Sequence, residues 1–361
     1  MGVMKSLQEI YTRIFDRIYL GLSKEKTCSV HLEHDLFDGK EYSIDDFHKK
    51  SMVFYDRPCE FYTLFGHDTI PNLRLGLHPK QRRVYFHPRY MMLYDSPVQT
   101  AWPETNLAPF KWYTGKNQRS NVMILFCPGW GRRDQSVEEK ICSRLQRRHG
   151  IDAGLMTVPY QQARTPAGAY TGEYFISSNI FWTIANFRHF VAEIRLLIRY
   201  MRAHYDYVGL VGMSSGGFQS LLASNCEDVD FLFPYLTGCQ LADITWEGAL
   251  TTAIRRDLMQ RNVSKSDLEK VWSITDEAVL APHCRAVHRK QYISLYDIVV
   301  PTKYQYALWE RLGMPAKLEL QCGHHSTVFT LSTVADDMAQ LIRNSVDVRS
   351  DLKMFDFGTL Q

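Results

Sequence analysis

The chain has 361 residues, 45% of them hydrophobic and 22% charged, which is globular composition with enough apolar sequence for a sizeable core. A formal net charge of +3 is too small for an electrostatic grip on nucleic acid and excludes that partner class. No run of 18 uncharged apolar residues occurs, so no membrane-spanning helix is expected.

At the N-terminus, Met1-Gly2-Val3-Met4-Lys5-Ser6 matches the loose myristoylation pattern at Gly2, a weak signal. Residues 7–22 follow as an amphipathic helix, with Leu7, Ile10, Tyr11, Ile14, Ile18 and Leu22 at helical spacing and Arg13 and Arg17 interleaved. The favoured reading docks this helix on the protein's own core. The competing one lays it on a membrane surface as a peripheral contact. His31-Leu32-Glu33-His34 carries two histidines at helical spacing, but no third ligand stands nearby, and they read as surface residues. From 23 to 115 Pro, Asp, His and aromatics alternate without a sustained period. This reads as an N-terminal extension over 1–115 with a few short strands, Arg83–Tyr94 among them.

From about residue 118 strands and helices alternate. Val122–Phe126 is a continuous apolar run before Cys127-Pro128-Gly129 and reads as a buried parallel strand. A helix over Ser136–Arg148, a strand over Asp152–Val158 and a long helix over Ile180–His204 follow. Tyr207–Met213 and Val229–Leu236 are further strands on either side of a helix over Phe218–Ala223. Residues 239–287 interrupt the alternation with two helices, Ala249–Arg261 and Asp267–Leu280, the second N-capped by Ser264 or Ser266. The strand Gln291–Tyr296, a helix over Tyr304–Leu312, the strand Ala316–Leu320 and a helix near Val328–Ser345 complete the pattern.

The expected fold class is α/β, a mostly parallel sheet with helices on both faces. Its core spans 116–238 and 288–348, with a helical cap over 239–287 and a tail over 349–361. Eight cysteines (Cys28, Cys59, Cys127, Cys142, Cys226, Cys239, Cys284 and Cys322) include no C-x-x-C pair. With no secretory signal ahead of them, reduced thiols and a cytoplasmic location are expected.

The chemistry concentrates at Gly212-Met213-Ser214-Ser215-Gly216, between a strand and a helix. A sharp turn there strains the serine and leaves no room for side chains two residues away, which suits Gly212 and Gly216. Ser214 would project its hydroxyl above the sheet, over a helix N-terminus that favours developing negative charge. Ser215 is the fallback nucleophile. A serine hydroxyl needs a base and a carboxylate to orient that base, both beyond later strands. Asp297 follows Gln291–Tyr296, with Asp243 as runner-up. His324 follows Ala316–Leu320, with its neighbour His325 as the alternative; adjacent histidines point apart and make a poor metal pair. Oxyanion donors are expected from the backbone of Ser215 and of Trp130, with Gly131 as the alternative. Gly129 and Gly131 would let that loop approach a substrate carbonyl.

Residues 118–345 resemble the α/β-hydrolase superfamily. Pro128-Gly129-Trp130-Gly131 is similar to its His-Gly-x-Gly loop, Gly212–Gly216 to its nucleophile elbow, Asp297-x-x-x-Pro301 to its acid loop and Gly323-His324 to its histidine loop. Pro128, where the family usually has histidine, leaves open how the oxyanion loop is supported. The helical start and Val158-Pro159-Tyr160 with Arg164-x-Pro166 resemble a poorly characterised branch with an N-terminal extension, which brings no substrate. Tyr160 and Arg164 lie after the second strand, near the expected site. Arg164 would meet an anionic substrate group or bridge to the cap. With Trp246 of the cap they complete the expected substrate-binding set. The implied activity is a serine ester hydrolase for a small-molecule or lipid acyl substrate, needing no cofactor or metal. A thioesterase, an acyltransferase or a non-catalytic binding protein on the same fold are the alternatives. No signal of oligomeric state is present.

Overall fold

A parallel strand covered on both faces needs a continuous apolar run, and Val122–Cys127 is buried at all six positions. Met123, Leu125 and Cys127 enter one hydrophobic cluster, Val122, Ile124 and Phe126 the other, so alternate side chains serve opposite faces of the sheet. The computed structural model describes residues 2–22, 42–77, 88–116 and 118–353. Cys28, His31, His34 and residues 83–87 of the strand expected over Arg83–Tyr94 lie outside them.

Among the described residues nine strands form one sheet: β1 (Arg74–Leu77), β2 (Tyr90–Asp95), β3 (Leu107–Tyr113), β4 (Val122–Cys127), β5 (Asp152–Met156), β6 (Tyr207–Met213), β7 (Phe231–Tyr235), β8 (His288–Ser294) and β9 (Ala316–Leu320). Their spatial order is β1-β2-β3-β5-β4-β6-β7-β8-β9. The stretch from β5 through β9 is parallel, and β1, β2 and β3 extend it antiparallel, with β3 paired to β5. The chain winds from β4 outward to β5 and then crosses to β6 on the other side. The loops after β4 and β6 therefore part at a switch point, where open α/β sheets leave a crevice.

The main helices are α1 (Gly2–Leu22), α2 (Ile44–Met52), α3 (Ser136–His149), α4 (Ile180–Arg202), α5 (Ser215–Ser224), α6 (Leu241–Glu247), α7 (Thr252–Gln260), α8 (Lys265–Trp272), α9 (Thr302–Arg311) and α10 (Leu331–Ser345). α3 and α10 pack together over one sheet face, and α4 and α5 cover the other. Among the described residues no helix is long and apolar enough to cross a membrane.

Several elements differ from the sequence pattern for local reasons. The helix expected over Asp267–Leu280 is broken: α8 stops at Trp272 and a separate turn spans Glu277–Leu280. Asp276 stands between them and accepts from the N–H groups of Ala278, Gln240 and Leu241. A side chain offering the backbone such partners competes with helix continuation. Ser264, not Ser266, is the α8 cap, in a reciprocal pair with Asp267. α1 inverts the expectation most clearly. Leu7, Ile10, Tyr11, Ile14 and Ile18 are exposed, Ile18 by 61%, while Thr12 and Asp16 are buried. The helix docks on the protein through its polar side.

Glu277 is buried behind α5, one oxygen accepting from Asn225 Nδ2 at 2.9 Å and the other without a hydrogen-bond partner among the described residues. Burial pushes its carboxyl up to about 8, against 4.5 when solvated. A value raised by folding means that the folded state holds a proton the unfolded chain gives up. Glu277's contribution is therefore intact below 4.5 and lost as pH rises toward about 8. Glu277→Gln is expected to stabilise the protein against denaturant at about pH 8.5 by a few kcal/mol and to change little at about pH 5. Equal effects at both pH values would contradict this account.

Candidate active site

β6 ends at Met213 and α5 begins at Ser215, so Ser214 alone makes the turn. Its φ of 54° lies in the left-handed region that a residue with a side chain avoids. Two hydrogen bonds hold it there: Ser214 N–H donates to Tyr235 O of β7 at 2.8 Å, and Gly217 N–H donates to Ser214 O at 2.9 Å. The flanking glycines are needed sterically. A Cβ on Gly212 would fall 2.1 Å from Ser220 Oγ, and one on Gly216 would fall 2.1 Å from Cys127 O at the end of β4.

Three of the sequence-predicted residues meet. His324 Nε2 lies 2.9 Å from Ser214 Oγ, and His324 Nδ1 lies 2.8 Å from Asp297 Oδ2. Asp297 and His324 are both buried. The Asp297 carboxylate is fully engaged: Oδ1 accepts from Val299 N–H at 2.8 Å and Val300 N–H at 2.9 Å, and Oδ2 also accepts from Gln305 Nε2 at 3.1 Å. Since this carboxylate only accepts, Nδ1 carries the imidazole proton and donates it. Nε2 is left with its lone pair facing the Ser214 hydroxyl, the arrangement that removes a serine proton.

The competing candidates are placed elsewhere. Asp243 pairs with Lys265 Nζ at 2.6 Å. The His325 ring stacks on Tyr19 of α1, centroids 4.2 Å apart. Ser215 Oγ is buried without a hydrogen-bond partner among the described residues.

The loop after β4 closes on Ser214. A Cβ on Gly129 would lie 3.3 Å from Ser214 Cβ and 3.8 Å from Oγ. Gly131 takes a φ of 73°, and its N–H is committed to Gln161 Oε1 at 2.5 Å, which removes it as an oxyanion donor. The Trp130 indole donates to Gly172 O at 2.7 Å, and Gln162 Nε2 donates to Arg132 O at 2.7 Å. Gln161, Gln162 and Gly172 thus brace the loop that Pro128 cannot brace with a side chain. Sequence reading missed them, because only folding brings the 161–172 segment under residues 130–132. Ser215, as the first residue of α5, presents one of the N–H groups that every helix N-terminus leaves unbonded within the helix.

One expected substrate contact is corrected. Arg164 is 0% exposed. Its guanidinium spends all five N–H donors on Glu193 (2.8 and 2.6 Å), Thr105 O (3.0 and 2.6 Å) and Thr157 O (2.8 Å). It is a core ion pair with no donor left for a ligand. Tyr160 is buried among Trp102, Tyr174 and Trp182, with ring centroids 5.8, 6.1 and 5.7 Å away. Trp246 is half-buried on α6, its carbonyl held by Arg255 Nη1 at 2.6 Å, and has no hydrogen bond or ring contact to Ser214 or His324 among the described residues. The seven described cysteines are free thiols, and no group of three metal-ligating side chains occurs among the described residues. One residue beside the site had no sequence signal: Asp16 of α1 accepts from the N–H groups of His325 and Ser326, next to His324.

No family model matches the chain. The uncharacterised protein YdjC of Bacillus subtilis (strain 168) is 29% identical over 93 residues, 26% of this chain and 80% of that protein. The acetyl xylan esterase from Paenibacillus sp. R4 superposes with a TM-score of 0.58 at 15% identity, over 87% of this chain and 97% of its own. Acetyl xylan esterase 1 from Thermoanaerobacterium sp. gives 0.56 at 15% identity, over 84% and 99%. Identities this low carry the architecture alone: the chain has the α/β-hydrolase fold.

Proposed function

We propose that this protein is a serine hydrolase that cleaves carboxylic esters through an acyl-enzyme. The observation that carries the reading is the continuous relay from Asp297 through His324 to Ser214, at 2.8 and 2.9 Å, on a strained elbow. Ser214 Oγ attacks the ester carbonyl while its proton passes to His324 Nε2. The oxyanion is held by the N–H groups of Ser215 and Trp130. The intermediate collapses as His324 returns the proton to the leaving alcohol. Water then repeats the sequence and releases the acid. Two solved proteins with this fold are named as acetyl xylan esterases, which favours an ester over other acyl compounds.

A lipid-like ester suits the outer face of α1. The exposed stripe of Leu7, Ile10, Tyr11, Ile14 and Ile18 continues to exposed Phe329, whose ring meets Phe15 at 5.5 Å, just past the histidine loop. Such a stripe, bordered by Arg13 and Arg17, suits a helix lying in a lipid interface. The 239–287 helices are the candidate cap, joined to the acid loop where Ala249 N–H donates to Ile298 O at 2.9 Å. The test is reaction with a fluorophosphonate, followed by peptide mapping in a mass spectrometer. A single stoichiometric adduct on Ser214 is expected. No adduct, or one on a different serine, would overturn the reading.

A further inference from the structure

We propose that Asp16 of α1 is a positioning residue for the catalytic histidine, holding the loop that carries His324 from the side the sheet does not reach. This rests on the reading of Ser214, His324 and Asp297 as the hydrolytic relay.

The loop is fixed from two directions. Ahead of His324, Cys322 O accepts from Tyr296 N–H at 3.0 Å and from Ser294 Oγ at 2.5 Å, so the β8 side anchors it. Immediately after His324, the next two backbone N–H groups turn to α1: Ser326 N–H donates to Asp16 Oδ1 at 2.8 Å and His325 N–H to Oδ2 at 3.3 Å. Asp16 is 0% exposed. The contact extends to both sides of His324. Gln8 Nε2 donates to Gln321 O at 3.1 Å, and Tyr19 stacks on His325. The fit is close, for a Cβ at Gly323 would fall 2.2 Å from Asp16 Oδ2. Glycine at 323 is thus what lets the carboxylate reach the loop.

The manner of docking argues that α1 serves the loop more than the core. A helix held for its burial would turn its apolar stripe inward. α1 leaves that stripe outside and desolvates a carboxylate, which is costly unless strong acceptor contacts offset it. Those contacts are charge-assisted hydrogen bonds to the two amides beside the catalytic imidazole. Fixing these amides fixes the backbone from which His324 spans the 2.8 and 2.9 Å contacts to Asp297 and Ser214. Displacement of a catalytic group by about 1 Å costs roughly a hundredfold in rate.

The experiment compares the full-length wild type, Asp16→Ala and Asp16→Asn. Each is measured for kcat and KM on p-nitrophenyl acetate, per active site titrated with fluorophosphonate, and for its thermal midpoint. Asp16→Ala is expected to lower kcat per titrated site by about a hundredfold with KM unchanged. Asp16→Asn, which keeps one acceptor for Ser326 N–H, is expected to recover part of the loss. Two results would overturn the inference: kcat per titrated site within twofold of wild type in both variants, or a loss that follows only the fraction of folded protein. A wild type inert to both reagents would instead remove the hydrolase reading on which the inference rests.

Discussion

Ser214→Ala is expected to lower ester turnover by about six orders of magnitude and Asp297→Asn by about four. The first change removes the attacking atom and leaves the catalysis that binding and the oxyanion amides supply. The second is the sharper test, because it alters hydrogen-bond polarity with almost no change of shape. Val299 and Val300 both donate to Asp297 Oδ1, so the carbonyl oxygen of an asparagine would settle there. Its amide nitrogen would then take the place of Oδ2, facing His324 Nδ1 and Gln305 Nε2. A donor facing Nδ1 stabilises the tautomer whose proton sits on Nε2, and that tautomer cannot accept from Ser214. The imidazole stays in place with its proton on the wrong nitrogen. Both variants should keep the wild-type circular dichroism spectrum while turnover of a p-nitrophenyl ester collapses. If Asp297→Asn retained a tenth of wild-type kcat, another acid would have to orient His324. Asp243, tied to Lys265, would be the next to replace.

The parallel half of the sheet was legible because strands covered on both faces are buried at every position, as β4, β5 and β7 are, and are therefore dominated by apolar residues, without a break in β4. The candidate relay was legible for a related reason: its side chains stand just past strand ends, where a break in an apolar run marks the position. β1 and β3 were not legible. β3 carries Pro109 and Lys111 in a run whose burial is only partial, so its alternation does not stand out from the irregular residues around it. His324 and His325 are adjacent and alike in chemistry; what separates them is Tyr19, more than three hundred positions earlier. α1 marks the limit of periodicity as evidence. Helical spacing locates an apolar stripe, but which side meets the protein depends on the partner surface. Here that surface offers backbone N–H donors, which suit Asp16 better than Ile14 or Ile18. Arg164 was misread for the same kind of reason, since its carboxylate partner lies 29 residues on, in α4.

Arg164→Met is expected to destabilise the protein by about 3–5 kcal/mol while leaving kcat and KM per folded molecule unchanged. The methionine keeps most of the side-chain bulk but leaves Glu193 buried with, among the described residues, only His189, 3.0 Å away, as a partner. Burial works to raise the Glu193 carboxyl; the Arg164 guanidinium and His189 outweigh it and hold the group down at about 2. A value depressed by folding stabilises above the unfolded value of 4.5 and is lost only as pH falls toward about 2, so the wild-type contribution is constant from about pH 5 to 8. Without Arg164 the balance passes to burial, and the carboxyl rises and takes up a proton more readily. The deficit, read from denaturant unfolding, should therefore be larger at about pH 8 than at about pH 5. Adding Glu193→Leu, which removes the orphaned charge, should restore part of the stability. If Arg164 instead held an anionic part of the substrate, the pattern would reverse. KM for a negatively charged ester would rise against that for a neutral ester of equal size, and the unfolding curves would scarcely move.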